Sequence, residues 1–257
     1  MTTNGRKFRR LEINGGHVVG KRPFPHTPLK LQLPTCPTGY TDAQIDDYGG
    51  RRRAAYSWQR GTHLQLTARF SHEADNLVGT AGFGFWNAPF GDPTLPWPAL
   101  PQATWFFFGS PPNDLPLANK GAGRGWYAAT LDATRWQAIS LLPLAPPVLL
   151  LNQFGALRQK VWPWVQNRLQ ISFQPIAETM ADWHEYQLDW RESGCDFWLD
   201  GRLIHHTPFS PRGPLGFVCW IDNQFMVAKP NGRLRWGTLP IKTPQFLELS
   251  SLHIESI

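Results

Sequence analysis

A chain of 257 residues can bury a large core, and 24 Pro and 23 Gly against 17% charged residues exclude a helical bundle in favour of many turns between strands. The net charge of +6 sits largely in Arg6, Lys7, Arg9, Arg10 and Arg51-Arg52-Arg53. No aromatic–basic interleaving or helix-turn-helix pattern accompanies these runs, so they read as a solvated tail and loop, and no nucleic-acid partner is expected.

From Met1 to Arg22 the chain reads as an extended start. Lys21 to Tyr40 carries five prolines and reads as irregular chain on the edge of the fold. Asp42 to Tyr48 is acidic and turn-like. Ala54 to Trp58, Thr62 to Phe70 and Thr80 to Trp86 read as strands. In the second of these, Leu64, Leu66, Ala68 and Phe70 alternate with Gln65, Thr67 and Arg69, so one face is buried and one is wet. Ala88 to Gln102 is a Pro-Trp loop, and Ala103 to Gly109 (A-T-W-F-F-F-G) is a strand apolar on both faces. A second long loop runs from Pro111 to Gly125, and Trp126 to Leu131 is a further strand.

Pro146-Pro147 then opens a helix that extends to about 169, since proline suits a first helical turn. Val148, Leu151, Phe154, Leu157, Val161 and Val165 follow helical spacing. Pro163 kinks this helix or ends its first part. Three roles are open to it: packing on the fold, which ranks first, then a lid over a ligand site or a homodimer contact.

Trp183 to Thr207 is the most informative stretch. Tyr186, Leu188 and Trp190 alternate with Glu185, Gln187 and Asp189, and Cys195, Phe197 and Leu199 with Asp196 and Trp198. Asp200-Gly201 is a tight hairpin turn. The region is a meander of antiparallel strands. Leu215 to Phe225 is a further strand, Asn231-Gly232 a turn, and Leu234 to Trp236 a short strand.

The pattern W-H-x-Y-x-L-x-W, a polar turn and F-x-L-D-G resembles the late strands of concanavalin A-like jelly rolls. In style it is most similar to the laminarinase and β-glucanase type, glycoside hydrolase family 16. Phe246 to Ile257 resembles that family's closing strand, and Gly82 to Asn87 (G-F-G-F-W-N) its G-x-W-P-A-F-W strand. The resemblance implies an all-β concanavalin A-like sandwich of two antiparallel sheets with an inserted helix. On this reading residues 1–40 pack as an extended segment on a single domain, 41–257. Retaining enzymes of that family carry E-x-D-x-E or E-x-D-x-x-E on one strand, which brings two glutamates over the scissile bond. No such motif exists here, and the corresponding strand offers Thr104, Trp105, Phe106, Phe107 and Phe108. Standard two-carboxylate hydrolysis is therefore not expected.

With 13 Trp and 16 Phe, more rings are present than a core needs, which predicts a concave aromatic-lined site. Trp86, Asn87, Trp97, Trp105, Phe107, Asn223 and Gln224 are the candidate ligand contacts. Asp222, at a strand end, and His205 are the candidate catalytic groups. The amides and carboxylate of Asp222-Asn223-Gln224 either orient a ligand or form an ordinary turn. His205 and His206 point to opposite faces of a strand and do not share a metal; His184 and His253 read as structural. Asp92 and Asp114, on long loops, read as solvated.

Cys36, Cys195 and Cys219 lack metal-ligand spacing, and the latter two read as small buried hydrophobes. Neither metal nor cofactor is expected. Met1 to Arg10 has no apolar core and no run is long enough to cross a membrane, so a cytoplasmic protein without a membrane partner is expected. Two functions fit. One is recognition of a carbohydrate or small glycoside without hydrolysis. The other is a non-hydrolytic enzyme (lyase, isomerase or cyclase) acting on a small apolar or aromatic compound.

Overall fold

The structure, a computed structural model, describes residues 8–20, 28–90, 92, 94, 95, 97–118 and 121–257. Two antiparallel sheets of seven strands pack face to face. With strands numbered along the chain, the front sheet runs β1 (Arg9–Ile13), β4 (Asp42–Asp46), β13 (Gly216–Asp222), β6 (Thr80–Trp86), β7 (Gln102–Gly109), β8 (Gly125–Asp132) and β9 (Ser172–Pro175). The back sheet runs β12 (Arg202–Thr207), β11 (Gly194–Leu199), β10 (His184–Arg191), β5 (Thr62–Phe70), β16 (Gln245–Ser256), β3 (Leu29–Leu33) and β2 (His17–Val19). A separate hairpin, β14 (Gln224–Ala228) and β15 (Leu234–Thr238), follows β13 directly.

Period-two alternation decides what lies between the sheets. From the back come Leu64, Leu66, Ala68 and Phe70 of β5 with Tyr186, Leu188 and Trp190 of β10. From the front come Phe83 and Phe85 of β6 with Phe106 and Phe108 of β7, and all of these are essentially inaccessible to water. A fully buried side chain of this size contributes roughly 1.5–3 kcal/mol. Cys195 and Cys219 belong to this core as small hydrophobes, and burial pushes the Cys195 thiol up to about 12. The meander from residue 184 to 207 pairs as its alternation predicts, with Tyr186 opposite Leu199, and Asp200 and Gly201 take positive φ in the turn.

Several expectations are corrected. Residues 9–33 are not only extended chain: β1 joins the front sheet, β2 and β3 the back. Residues 42–46 form β4, buried along its whole length, rather than a turn. Ala54 to Trp58 is no strand; residues Arg53–Ala55 form a 3-10 turn and Trp58 makes an isolated bridge to Leu215. The single helix is three: α1 (Trp136–Ile139), α2 (Ala145–Leu151) and α3 (Gly155–Arg168). The chain breaks at residues 152–154, not at Pro163, which lies inside α3. Nor is its apolar stripe packed down, since Leu151, Phe154 and Leu157 are exposed while Val165 is buried.

The basic runs are only partly solvated. Arg9 pairs with Asp46 and Asp92, Arg10 donates to the carbonyls of Val18 and Gly20, and Arg53 donates to those of Asn87, Ala88 and Trp97. Arg6 and Lys7 lie outside the described residues.

Candidate functional site

The two outer faces differ in chemistry. On the back sheet, polar side chains pair across strands, as in His63–Asp189, Gln65–Glu185 and Arg69–Glu248. The front sheet instead carries a second hydrophobic cluster. Residues directly opposite in an antiparallel ladder share a face, so the register of the front sheet defines its rows. One row reads Asp42, Asp222, Thr80 and Gly109; the next Gln44, Trp220, Gly82, Phe107 and Tyr127; the third Arg9, Asp46, Val218, Gly84 and Trp105. Trp86 begins a fourth, opposite Gly216 and Ala103.

These rows build an aromatic floor. The rings of Trp86 and Trp220 are stacked with centroids 6.4 Å apart, Trp105 lies 5.8 Å from Trp220 and 5.2 Å from Phe107, and Phe107 stacks on Tyr127 at 5.3 Å. Glycine makes room for them. A Cβ on Gly82 would stand 2.9 Å from the tip of the Trp220 indole, and one on Gly84 would stand 2.6 Å from the Trp105 backbone. Trp86 and Trp105 remain partly exposed while Phe107, Tyr127 and Trp220 are buried.

Each indole N–H of the floor that lies near a polar group is anchored. Trp86 Nε1 donates to Tyr48 Oη at 2.7 Å, and Trp220 Nε1 donates to Thr80 Oγ1 at 3.0 Å. Thr80 Oγ1 in turn donates to Asp222 Oδ1 at 2.8 Å, which also accepts from the Gln224 amide at 2.9 Å. The Trp220 ring is therefore oriented by hydrogen bonds that run into a carboxylate, and the Trp86 ring by its bond to Tyr48.

That carboxylate has a neighbour. Asp42 stands directly opposite Asp222 in the ladder and is 1% exposed. Its Oδ2 is buried and finds no partner among the described residues. Burial first, then the charges of Asp222 and Asp46, push the Asp42 carboxyl well above the usual carboxylate range, with Arg9 offsetting this in part. Burial likewise raises Asp222 to about 6, against the hydrogen bonds from Gln224 and Thr80. Both carboxyls of the facing pair are thus raised by burial, and each disfavours ionisation of the other or of its neighbours. Tyr40 borders both, its hydroxyl kept protonated by burial and by the two charges.

At the other end, Arg9 is clamped between Asp46 Oδ2 at 2.8 Å and Asp92 Oδ2 at 2.7 Å, so its charge is spent within the protein. Buried and without a partner among the described residues are the hydroxyls of Tyr56 and Tyr127 and Gln166 Oε1. Tyr56 packs on Tyr48, and Tyr127 underlies Phe107. Gln166, on α3, donates to the carbonyl of Leu117 at 2.7 Å and so ties the helical insertion to the loop beside the floor.

The predicted residues divide. Trp86, Trp105, Phe107 and Asp222 come together on this face. Gln224 is exposed beside them, its amide on Asp222 and its side chain bonded to Tyr40. Asn87 is not a ligand contact: it accepts from the Gln102 amide and donates to the Leu100 carbonyl, closing the loop between β6 and β7. Asn223 is similarly used up, on the Thr41 amide and the carbonyls of Gly39 and Leu239. Trp97 is 76% exposed on the loop, outside the second cluster. His205 lies in the back sheet, stacked on Phe197 at 5.7 Å, with its pKa lowered by burial, and is no partner for Asp222. A bulge between β11 and β12 sets it against Phe197. Asp92 and Asp114 are not merely solvated, since they pair with Arg9 and Lys229.

Sequence reasoning missed Trp220 and Asp42. Trp220 lies two residues from Asp222, so the period alone carries it to the same face. Among the described residues no cluster of three or more His, Cys, Asp or Glu is arranged to hold a metal.

No family model matches the chain, and no curated protein matches it. Among solved structures it is similar to an endo-β-1,4-glucuronan lyase of Trichoderma reesei, with a TM-score of 0.52 at 14% identity over 99% of this chain and 92% of that one. A β-glucanase of Bacillus licheniformis aligns over 99% and 94% of the two chains with a TM-score of 0.48 at 11% identity. At such identity the first likeness extends to the fold alone, a jelly-roll sandwich of two antiparallel sheets.

Proposed function

We propose that the outer face of the front sheet binds a neutral glycoside, stacking a sugar ring on the exposed edges of Trp105 and Trp86 and offering Asp222 as a hydrogen-bond acceptor. The observation that carries this reading is the single face on which the rings of Trp86, Trp105 and Phe107 surround Trp220, whose indole is tied through Thr80 to the Asp222 carboxylate. Flat apolar rings with a few fixed polar groups are the lining a small-ligand site needs. Charge argues for neutrality: Asp42, Asp46 and Asp222 share the face, and Arg9 is already committed to two carboxylates, so an anionic ligand is disfavoured. The glucuronan lyase of similar fold supports a sugar ligand in general, while its neutrality rests on the charges of this face alone.

Thermal-shift measurements with neutral oligosaccharides on one side and small aromatic and terpenoid compounds on the other test this. Selective stabilisation by sugars is expected, because a ligand bound only by the folded state raises the melting point. Trp105→Ala is expected to abolish that shift and leave the unliganded fold intact. A sugar-dependent shift that survives in the variant would remove Trp105 from the site.

One observation favours a second reading. Asp42 and Asp222 face each other in the ladder, and when the two share a proton the pair can deliver one proton and accept another without a change in its total. A non-hydrolytic lyase, isomerase or cyclase on a small apolar compound can use that pairing. Stabilisation by the apolar panel alone, with deuterium from D2O entering the compound in the parent protein and not in Asp222→Asn, would establish it in place of the first.

A further inference from the structure

The helical insertion and the β14–β15 hairpin share a surface that neither the core nor the candidate site explains. Asn152 Nδ2 donates to the Pro230 carbonyl at 3.1 Å and Gln153 Nε2 to that of Asn231 at 2.8 Å. Leu149 lies beside Gly232, so α2 rests on the tip of the hairpin. Around this junction large apolar side chains face outward: Leu150 is 65% exposed, Phe154 59%, Leu234 56% and Trp236 70%, with Trp136 of α1 at 67%. The stripe at helical spacing, which packing on the sandwich would bury, faces outward for much of its length. Apolar surface gathered in this way is uncommon on a protein without a use for it.

The helices and the hairpin carry cations and no acid of their own. Residues 133–177 and 223–247 contain no Asp or Glu, while they carry Arg135, Arg158, Lys160, Arg168, Lys229, Arg233, Arg235 and Lys242. Arg135 and Lys229 are paired with Asp132 and Asp114, and Arg168 lies over the Trp164 ring. Arg158, Lys160, Arg233 and Arg235 have no ion pair among the described residues.

We propose that this face docks on the surface of an anionic lipid bilayer. Leucine, phenylalanine and tryptophan side chains interleaved with unpaired cations suit the boundary between acyl chains and acidic headgroups. The mode is interfacial. The longest of the helices, α3, has 14 residues, short of the roughly 20 a span requires, and none is long and apolar enough to cross. A second copy is the poorer occupant, because a symmetric contact would oppose like charges across a low-dielectric interface.

Flotation of the full chain with vesicles tests the proposal. With phosphatidylcholine mixed with phosphatidylserine at low salt the protein is expected to float, and with phosphatidylcholine alone to float far less. Raising the salt should release much of it, since headgroup attraction decays within a Debye length of about 10 Å at moderate ionic strength. R233E/R235E is expected to weaken partition into the anionic vesicles at least roughly fivefold per residue. L150E/F154E is expected to abolish it. Both pairs alter exposed side chains, and both variants should melt as the parent does. Absence of flotation on anionic vesicles at low salt would overturn the proposal, as would flotation that both variants retain. Concentration-dependent dimerisation lost in L150E/F154E, without vesicle binding, would overturn it in favour of self-association.

Discussion

At the scale of single residues the molecule's least comfortable group is Asp42. A carboxyl raised from 3.8 to about 6, as Asp222 is, costs folding roughly 3 kcal/mol at neutral pH, and Asp42 is raised in the same direction. Both folded values lie above the unfolded one. Their contribution is therefore complete below pH 4 or so and is lost as pH rises, through about 6 for Asp222. Urea denaturation between pH 4 and 8 should show this decline, while the opposite trend of the salt-bridged Asp92 and Asp189, whose folded values are lowered, falls below about pH 4. Asp42→Asn should flatten it and raise stability at pH 8 by about 1–3 kcal/mol. An unchanged or lower midpoint would mean that Asp42 is ionised and satisfied in the fold.

A second variant, Asp222→Asn, separates stability from use. A protein that keeps a buried, unpartnered acid retains a cost that substitution readily removes. If Asp222 is the acceptor in ligand binding, affinity should rise with pH through about 6 in the parent, and the dependence should vanish in Asp222→Asn. Isothermal titration at pH 5 and pH 7.5 checks this; equal affinities at the two values would take Asp222 out of the contact.

At the scale of elements, the sequence was most legible where alternation was clean. β5, β10 and β11 read directly, because their polar residues face water and their apolar ones the core. β4 alternates just as strictly, Asp42, Gln44 and Asp46 against Ala43 and Ile45, yet three acids in seven residues look like a turn. It is a strand because its polar side faces a built site, where Asp46 meets Arg9 and Asp42 meets Asp222. β13 hid Trp220 because both of its faces are apolar, and only its spacing of two from Asp222 marks its side. β7 is equally apolar, yet Trp105 and Phe107, two residues apart, were legible there as one face. The helices were misjudged because apolar spacing at 3.6 residues reports that a helix has a greasy side, not what covers it.

At the scale of the whole molecule, antiparallel strands follow from composition and alternation and the two-sheet sandwich from the family resemblance, whereas strand order follows from neither. Nothing local in residues 9–13 indicates that they close the front sheet beside β4, or that residues 29–33 pair with the last strand. The second pairing joins segments over 200 residues apart, and both are selected by what remains unpaired once other strands have met.

That last strand has a bearing on how the protein is made. β16 is not at a margin: it lies between β5 and β3, and it alone joins β3 and β2 to the rest of the back sheet. During synthesis, β5 and β3 therefore wait on the ribosome with bare backbone edges, and the back sheet cannot assemble until residues 245–256 emerge from the exit tunnel. Arrested chains ending near residue 240 should remain protease-sensitive throughout, and those extended past 256 by a linker long enough to clear the tunnel should become resistant in a single step.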